Sequence, residues 1–189
     1  MKTIAIISAS VRNGRNSHRV ALFFKNHLSQ NKIANAKILD LKAYDFPIFE
    51  ERLKFISEPS EQLLAFAKEV ENADGIIIVS PEYNGGYPAS LKNVIDLLYA
   101  EWKRKPIGIA TVSAGAFAGS QVITSLQFSL RKIGALVVPA MFPVPTVEKT
   151  FNEDGTPNDL EGTNKRANAF LNELMWWMEA KQKMEVKES

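Results

Sequence analysis

Three short polar or glycine-rich segments hold the residues whose types and spacing could do chemistry. They read "SASVRNGRNSHR" at 8–19, "SPEYNGGYP" at 80–88 and "SAGAFAGS" at 113–120, and each begins where an apolar run ends. If those runs are parallel strands, the segments lie at the carboxyl ends of the strands, where open α/β sheets bind their ligands. We therefore expect the three segments to meet in one site.

The first segment has the composition of an anion site. Ser10, Arg12 and Ser17 offer hydroxyls and a guanidinium just before a predicted helix start, with Asn16 or Ser17 as the expected N-cap. Free amides at a helix N-terminus attract anions. Because neither G-x-G-x-x-G nor G-x-x-x-x-G-K-[ST] is present, a phosphomonoester is favoured over a dinucleotide or nucleoside triphosphate. The alternative is that Ser and Asn only cap the helix and that Arg12 is solvated.

The second segment suits a flat ring. Gly85 and Gly86 allow the backbone to approach a ligand closely, and the Asn84 side chain with the amides of the 82–86 turn can hydrogen-bond a heteroaromatic edge. Pro88 then opens a helix, where its missing N–H costs nothing. The alternative is an ordinary turn in which Tyr83 only covers the core.

The third segment is open to two interpretations. Ser113, Gly115 and Gly119 can present amides to a second ring edge, or they can form a plain strand-to-helix turn. The sequence favours neither.

Alternating apolar runs and amphipathic stretches predict the fold class. Nearly continuous apolar runs indicate parallel strands covered on both faces, and the helical stretches between them carry apolar residues at i, i+3, i+4 spacing. Right-handed crossovers then require helices on both faces of one parallel sheet, a doubly wound α/β domain spanning 1–189. The predicted strands are 3–7, 37–41, 75–79, 107–112 and 135–138; an irregular excursion is expected at 142–160 and a frayed tail from about 181.

Composition limits the classes of function. The chain has 189 residues, 46% of them hydrophobic, a formal charge of +2 and no cysteine. The charge is too small and scattered for a nucleic-acid surface, and no apolar run reaches the ~18 residues of a membrane span. His18 and His27 lack metal-ligand spacing, so no metal is expected. We expect a cytoplasmic protein whose redox chemistry, if it has any, comes from a bound cofactor.

The three segments together resemble the flavin-contacting segments of the NADPH-dependent FMN reductase family, which includes quinone, chromate and azo-dye reductases. The resemblance spans residues 2–180, and PEYN followed by P-x-x-L-K-N is its most specific part. It implies a flavodoxin-like five-stranded sheet of order 2-1-3-4-5. It also implies that the first segment holds the FMN phosphate, that the second borders the isoalloxazine ring mainly through backbone, and that the third lies near the ribityl or pyrimidine side. The cofactor-binding residues so assigned are Ser10, Arg12, Asn16, Ser17, Pro81, Glu82, Tyr83, Asn84, Gly85, Ser113 and Gly115.

The activity that the resemblance implies is hydride transfer from NADPH or NADH through FMN to small acceptors such as quinones, azo compounds or nitro compounds. The flavin carries the chemistry, so the kinetics are expected to be ping-pong with no side chain as an obligatory acid or base. Two alternatives remain: a flavodoxin-type electron carrier, which the slightly positive charge disfavours, and a non-catalytic regulatory protein.

Large aromatic residues suggest self-association. The residues concerned are Tyr87, Trp102, Trp176 and Trp177, more than a small core readily hides, although burial under 142–160 is an equal alternative. The family resemblance favours a homodimer or homotetramer. Arg15 and Arg19 are expected to be solvated rather than to meet the 2′-phosphate of NADPH.

Overall fold

A computed structural model describes residues 1–188, which form five strands and seven α-helices. The strands are β1 Thr3–Ser8, β2 Asn35–Asp40, β3 Gly75–Pro81, β4 Pro106–Val112 and β5 Leu136–Val144. The helices are α1 Ser17–Gln30, α2 Leu41–Tyr44, α3 Glu61–Asn72, α4 Ala89–Leu97, α5 Ser120–Lys132, α6 Val147–Thr150 and α7 Leu160–Glu188, with 3₁₀ turns at Leu53–Phe55 and Ala100–Trp102.

The sheet has the predicted topology. All neighbouring strands are parallel and their order is β2-β1-β3-β4-β5. Because β1 lies between β2 and β3, Ser8 at its carboxyl end stands beside both Asp40 and Val79. The segments that follow β1 and β3 therefore leave the sheet side by side, at the switch point of the fold.

Helices cover both faces of the sheet, as the continuous apolar strands predict. On one face α1 and α7 pack through residues such as Phe24 and Phe170. On the other, α3, α4 and α5 pack through residues such as Phe66, Leu91 and Leu126. The central strands are shielded from water on both sides, so their backbone ends, rather than their faces, are left to contact a ligand.

One boundary prediction is wrong. Residues 142–144, expected to be irregular, complete β5. Prolines at 139 and 143 conceal this strand in the sequence, but β5 is an edge strand, where a missing N–H is tolerated, and a register shift against Ile107 and Ile109 absorbs the irregularity. Helix α7 extends to Glu188, and fraying of the tail from about 181 stays a prediction; Ser189 lies outside the described residues.

The large aromatic residues separate into two groups. Trp102 is fully buried and belongs to the core, whereas Trp176 is 60% exposed and Trp177 is partly buried against α1 and the sheet. Trp102 therefore cannot serve self-association, which leaves Trp176 as the exposed member of the set. Among residues 1–188, no helix is long and apolar enough to cross a bilayer.

Candidate functional site

The first loop ends at a helix N-terminus with open amides. α1 begins at Ser17 after Asn16, as predicted, but the Asn16 side chain makes no cap bond; its Nδ2 donates instead to Glu148 Oε1 at 2.6 Å. Within the described structure, the first turn of α1 also lacks an acidic side chain. The positive end of a 14-residue helix is thus left for another acceptor.

Two predicted phosphate donors have no partner in the described part of the chain. Ser17 is 3% exposed, and its Oγ is buried without a hydrogen-bond partner in residues 1–188. A buried, unpaired hydroxyl costs free energy unless a ligand or water satisfies it. The Arg12 guanidinium lies in an exposed position and makes no hydrogen bond or ion pair to the described part of the chain. Each group therefore keeps hydrogen-bonding capacity that the described chain does not use.

Ser10 joins the first loop to the second. Its Oγ lies 2.6 Å from the hydroxyl of Tyr83 and accepts the amide of Arg12 at 3.3 Å. Its carbonyl accepts a hydrogen bond from Arg15 at 2.8 Å. Ser10 is fully buried, so these contacts fix the loop rather than leave it to solvent.

The expectation that Arg15 and Arg19 are solvated is wrong. Arg15 makes a bidentate ion pair with Asp40, its Nη2 donating to Oδ2 at 2.5 Å and its Nη1 to Oδ1. Arg19 donates to the Phe151 carbonyl at 2.9 Å. Register explains the first contact, because Asp40 ends β2 directly beside Ser8 at the end of β1, so the returning loop places Arg15 over it.

The Arg15–Asp40 pair sets the electrostatics of this loop. Burial alone would raise the pKa of Asp40, but the hydrogen bonds from Arg15 and from the Lys42 amide outweigh it and lower the pKa. The pKa of His18 is lowered, first because burial disfavours the imidazolium and then because Arg15 is nearby. His18 Nδ1 lies 3.0 Å from Ser8 Oγ, so Ser8 is not free for a phosphate.

The second loop is a tight hairpin. Tyr83 and Gly86 exchange backbone hydrogen bonds of 2.8 and 3.0 Å, and between them Asn84 and Gly85 have φ of 52° and 80°. Positive φ at both central residues defines a type I′ turn, for which Asn-Gly is the preferred pair. The amides of Asn84 and Gly85 find no partner in residues 1–188 and remain available to a ligand edge.

Glu82 connects the second loop to the third. Its Oε2 accepts the Gln121 amide in the first turn of α5 at 3.2 Å. The carboxylate predicted to border a ring is therefore committed to a helix N-terminus, where negative charge is favoured. Gly85 lies against the same residue, because a Cβ added there would come within 3.3 Å of Gln121 Oε1.

The third loop presents mainly backbone. Ser113 Oγ donates to the Gly115 carbonyl at 2.8 Å, so this hydroxyl is used within the loop. Ala118 and Gly119 both have positive φ, and Gly119 approaches the backbone of β4 so closely that a Cβ would lie 3.3 Å from Val112 O. Beneath it, Thr111 Oγ1 is buried and unpaired in the described chain, a polar group that sequence reasoning missed.

One cleft collects the first two loops. It encloses about 500 Å³ and is lined by Val11, Arg12, Glu82, Tyr83, Asn84, Pro88, Ala89 and Ser90. The other predicted cofactor-binding residues do not line this cleft: Ser10, Asn16, Ser17, Pro81, Gly85, Ser113 and Gly115. The cleft thus brings together the Arg12 cation and Asn84, whose backbone amide is unpaired in residues 1–188. A cation beside an unpaired amide fits a flat ligand bearing an anionic group.

Comparison with known proteins identifies the family. The sequence model of NADPH-dependent FMN reductases matches residues 1–149. An NAD(P)H-dependent FMN reductase of Saccharomyces cerevisiae is 31% identical over 162 residues, covering 76% of this chain and 83% of that protein. A quinone reductase of Pseudomonas putida is 26% identical over 183 residues, covering 93% and 94%.

A solved structure supports the fold independently. The flavoenzyme NAD(P)H:(acceptor) oxidoreductase FerB of Paracoccus denitrificans aligns with a TM-score of 0.80 at 22% identity, covering 95% of this chain and 98% of that one. At that identity the likeness concerns the fold alone. The family match over most of the chain goes further, and the open helix end and unpaired amides agree with an FMN site. The chain therefore belongs to the NADPH-dependent FMN reductase family, whose members are FMN-dependent, NAD(P)H-using oxidoreductases.

Proposed function

We propose that this protein passes a hydride from NAD(P)H through bound FMN to quinones, azo or nitro compounds by a ping-pong mechanism. The observation that carries the proposal is the cleft of about 500 Å³ where the loops after β1 and β3 meet. One open cleft can receive the hydride donor and the acceptor only in turn, which is the physical basis of alternating kinetics.

The chain's own residues would bind and orient. The phosphate would be held at the start of α1 by the Arg12 guanidinium and the unpaired Ser17 hydroxyl. The backbone amides of the first turn of α1 would also donate to it. FMN, when bound, supplies hydride acceptance and release at its N5. No catalytic side chain is required for that chemistry.

Unpaired amides would support the ring edge on which negative charge grows. The amides of Asn84 and Gly85 are preorganised by the type I′ turn, so they need no rearrangement to donate. Glu82, an acidic residue that lines the cleft, gives a carboxylate oxygen to the Gln121 amide. Because the Glu82 carboxylate is engaged in this contact, we propose that the site stabilises charge through backbone amides and not through acid–base catalysis.

The setting proposed for this activity is a cytoplasmic homodimer or homotetramer. A chain without cysteine has no disulfide that needs an oxidising compartment. Exposed aromatics support self-association, since Trp176 is 60% exposed and Phe128 71% exposed. The formal charge of +2 speaks against a flavodoxin-type carrier, which would need an acidic face to meet a basic partner.

An anaerobic visible spectrum tests the proposal. Purified protein reconstituted with FMN should show the flavin absorption, which should bleach on adding NADPH and return on adding a quinone. Steady-state rates with both substrates varied should then give parallel double-reciprocal lines. A flavin that stays oxidised under excess NADPH and NADH would refute the oxidoreductase, and intersecting lines would refute the ping-pong order.

A further inference from the structure

A second hollow adjoins the cofactor cleft. It encloses about 310 Å³ between the first loop, the chain after α2 and the start of α4. Val11, Ala89 and Ser90 line both the cleft and this hollow, so the two adjoin each other. We call it the side pocket and define it by Val11, Leu41, Phe46, Ile48, Ala89 and Val94.

The wall of the side pocket is held in place by Asn93, the last residue of the P-x-x-L-K-N motif. Asn93 Oδ1 accepts the amide of Phe49 at 2.6 Å, and its Nδ2 donates to the Pro47 carbonyl at 2.7 Å. Both bonds tie the chain after α2 to α4. Phe46 is fixed from behind by ring contacts with Tyr44 at 5.2 Å and Phe66 at 5.3 Å between centroids. The side pocket is therefore preformed, as ligand pockets usually are.

The lining indicates the chemistry of the occupant. It is mostly aliphatic and aromatic, and at its rim Val11 is 45% and Ile48 88% exposed. Asp45 is the one charged residue that lines it in the described chain. The carboxylate repels anions, and the apolar lining gains little binding free energy from small polar molecules. An uncharged flat hydrocarbon group would instead bury the exposed aliphatic surface.

We propose that the side pocket receives the apolar part of the electron acceptor, so that neutral bicyclic quinones are preferred to small or anionic acceptors. The inference rests on the proposed function, because the acceptor must also reach the cofactor cleft. Because the two spaces share three lining residues, one molecule can extend from one into the other. The size agrees with a bicyclic ring, since ligand pockets begin at about 300 Å³.

The test compares two quinones on the FMN-loaded enzyme with saturating NADPH: 2-methyl-1,4-naphthoquinone and 1,4-benzoquinone. Ile48→Asp places a charge at the rim on a side chain that is exposed, so folding should be unaffected. We expect the KM for the naphthoquinone to rise at least about tenfold while the KM for benzoquinone changes less than about twofold. Leu64→Asp on α3, an exposed leucine outside the side pocket, is the matched control and should change neither.

Asn93→Ala provides a second variant, because it frees the wall without adding charge. It should raise the naphthoquinone KM selectively, in the same direction as Ile48→Asp. Calorimetric binding of the naphthoquinone to the FMN-loaded protein without NADPH adds a readout that needs no turnover, and Ile48→Asp should weaken it.

Three results would overturn the inference. The first is an unchanged naphthoquinone KM in Ile48→Asp, and the second is an equal rise in KM for both quinones. The third is a change of oligomeric state in gel filtration that accompanies the rise in KM, because it would assign Ile48 to a contact between copies. If the enzyme turns over no acceptor, the proposed function fails, but calorimetry still decides whether the side pocket binds the naphthoquinone.

Discussion

The hydroxyls of Ser10 and Tyr83 lie 2.6 Å apart and join the loop after β1 to the hairpin after β3. Ser10 Oγ also accepts the Arg12 amide. If Tyr83 donates to Ser10, both lone pairs of Ser10 are filled and its own proton is free; if Ser10 donates, the proton of Tyr83 is free. Because Ser10 is fully buried and Tyr83 lines the cleft, the second arrangement leaves the Tyr83 O–H available for a ligand anion.

Removing one hydroxyl of this pair should weaken FMN binding. We expect Tyr83→Phe to raise the Kd for FMN about fivefold, since a net hydrogen bond contributes about 1 kcal/mol, and fluorescence titration of the apoprotein measures it. Tyr87→Phe is the matched control, because the Tyr87 hydroxyl bonds Ser129 at 2.8 Å, away from the first loop. Equal losses in the two variants would contradict a specific role for the Ser10–Tyr83 contact.

Arg12 provides a stronger electrostatic test. A charge-assisted bond to a phosphate contributes roughly 1.5–3 kcal/mol, so Arg12→Ala should weaken FMN binding at least about tenfold, and Arg12→Lys should lose less. The affinity for riboflavin, which lacks the phosphate, should change little in either variant. Lys165→Ala on the exposed surface of α7 controls for net charge. Retention of wild-type affinity by Arg12→Ala would remove Arg12 from the phosphate site.

The sequence alone predicts the fold well because its signals are local. Continuous apolar runs and intervening amphipathic helices determine the doubly wound sheet, and each run needs only its own residues to be recognised. The exception is β5, where Pro139 and Pro143 interrupt the run and only the edge position makes the strand possible. Chain segments near the site, such as the Asn84-Gly85 turn, are predictable for the same local reason.

Contacts between distant segments could not be predicted in the same way. Asp40 meets Arg15 only because strand register places the end of β2 beside the end of β1. Glu82 binds the Gln121 amide because the hairpin after β3 faces the start of α5. A carboxylate in a loop sequence looks equally suited to a ligand or to a helix end, and the geometry of two elements decides which it contacts.

The Arg15–Asp40 pair should contribute to both stability and FMN binding. Its side chains are only 14% and 22% exposed, and Arg15 also holds the Ser10 carbonyl. We expect Asp40→Asn to lower the free energy of unfolding by about 1–3 kcal/mol and to weaken FMN binding several-fold, measured by urea denaturation and titration. Lys37→Met is the control on the same strand: the Lys37–Glu69 pair is 57% and 35% exposed, so its loss should cost less than about 0.5 kcal/mol. Similar losses in both variants would show that the Arg15 pair has no special role.

The same cluster predicts how stability depends on pH. The pKa of His18 is lowered by burial and by Arg15, so the unfolded chain binds its proton more readily than the native chain does. Its stabilising contribution is complete above the ordinary pKa of 6.5 and is lost as the pH falls through the lowered native pKa. Asp40, with a pKa below 3.8, acts in the same direction at lower pH.

We therefore expect the free energy of unfolding of the apoprotein to fall on acidification below pH 6.5. His18→Gln should flatten the upper part of this fall, and Asp40→Asn the part near and below pH 4. Urea denaturation at half-unit intervals from pH 7.5 to 3.5 measures both slopes. If His18→Gln leaves the slope below pH 6.5 unchanged, His18 does not titrate as its surroundings indicate.

Lys105 offers a test at the opposite edge of the sheet, far from the cofactor cleft. It is 5% exposed, and its Nζ donates to the carbonyls of Glu71 at 2.8 Å and Ala73 at 2.5 Å. Burial disfavours the ammonium, and nearby Lys181 adds repulsion, so the pKa falls to about 8. The native chain therefore carries a cation at neutral pH that water would solvate better.

The native pKa of Lys105 lies below the ordinary 10.5, so between these two pH values the unfolded chain binds more protons than the native chain. The free energy of unfolding therefore increases as the pH rises through this range. Lys105→Met removes the titration while keeping the length of the side chain. We expect the free energy of unfolding of the wild type, minus that of Lys105→Met, to increase by on the order of 1–2 kcal/mol from pH 7 to pH 9.5, measured by urea denaturation. Lys165→Met, at an exposed site on α7, should show no such increase. If the difference in free energy of unfolding between the wild type and Lys105→Met stays constant over this range, the two carbonyls stabilise the ammonium enough to cancel the cost of burying it.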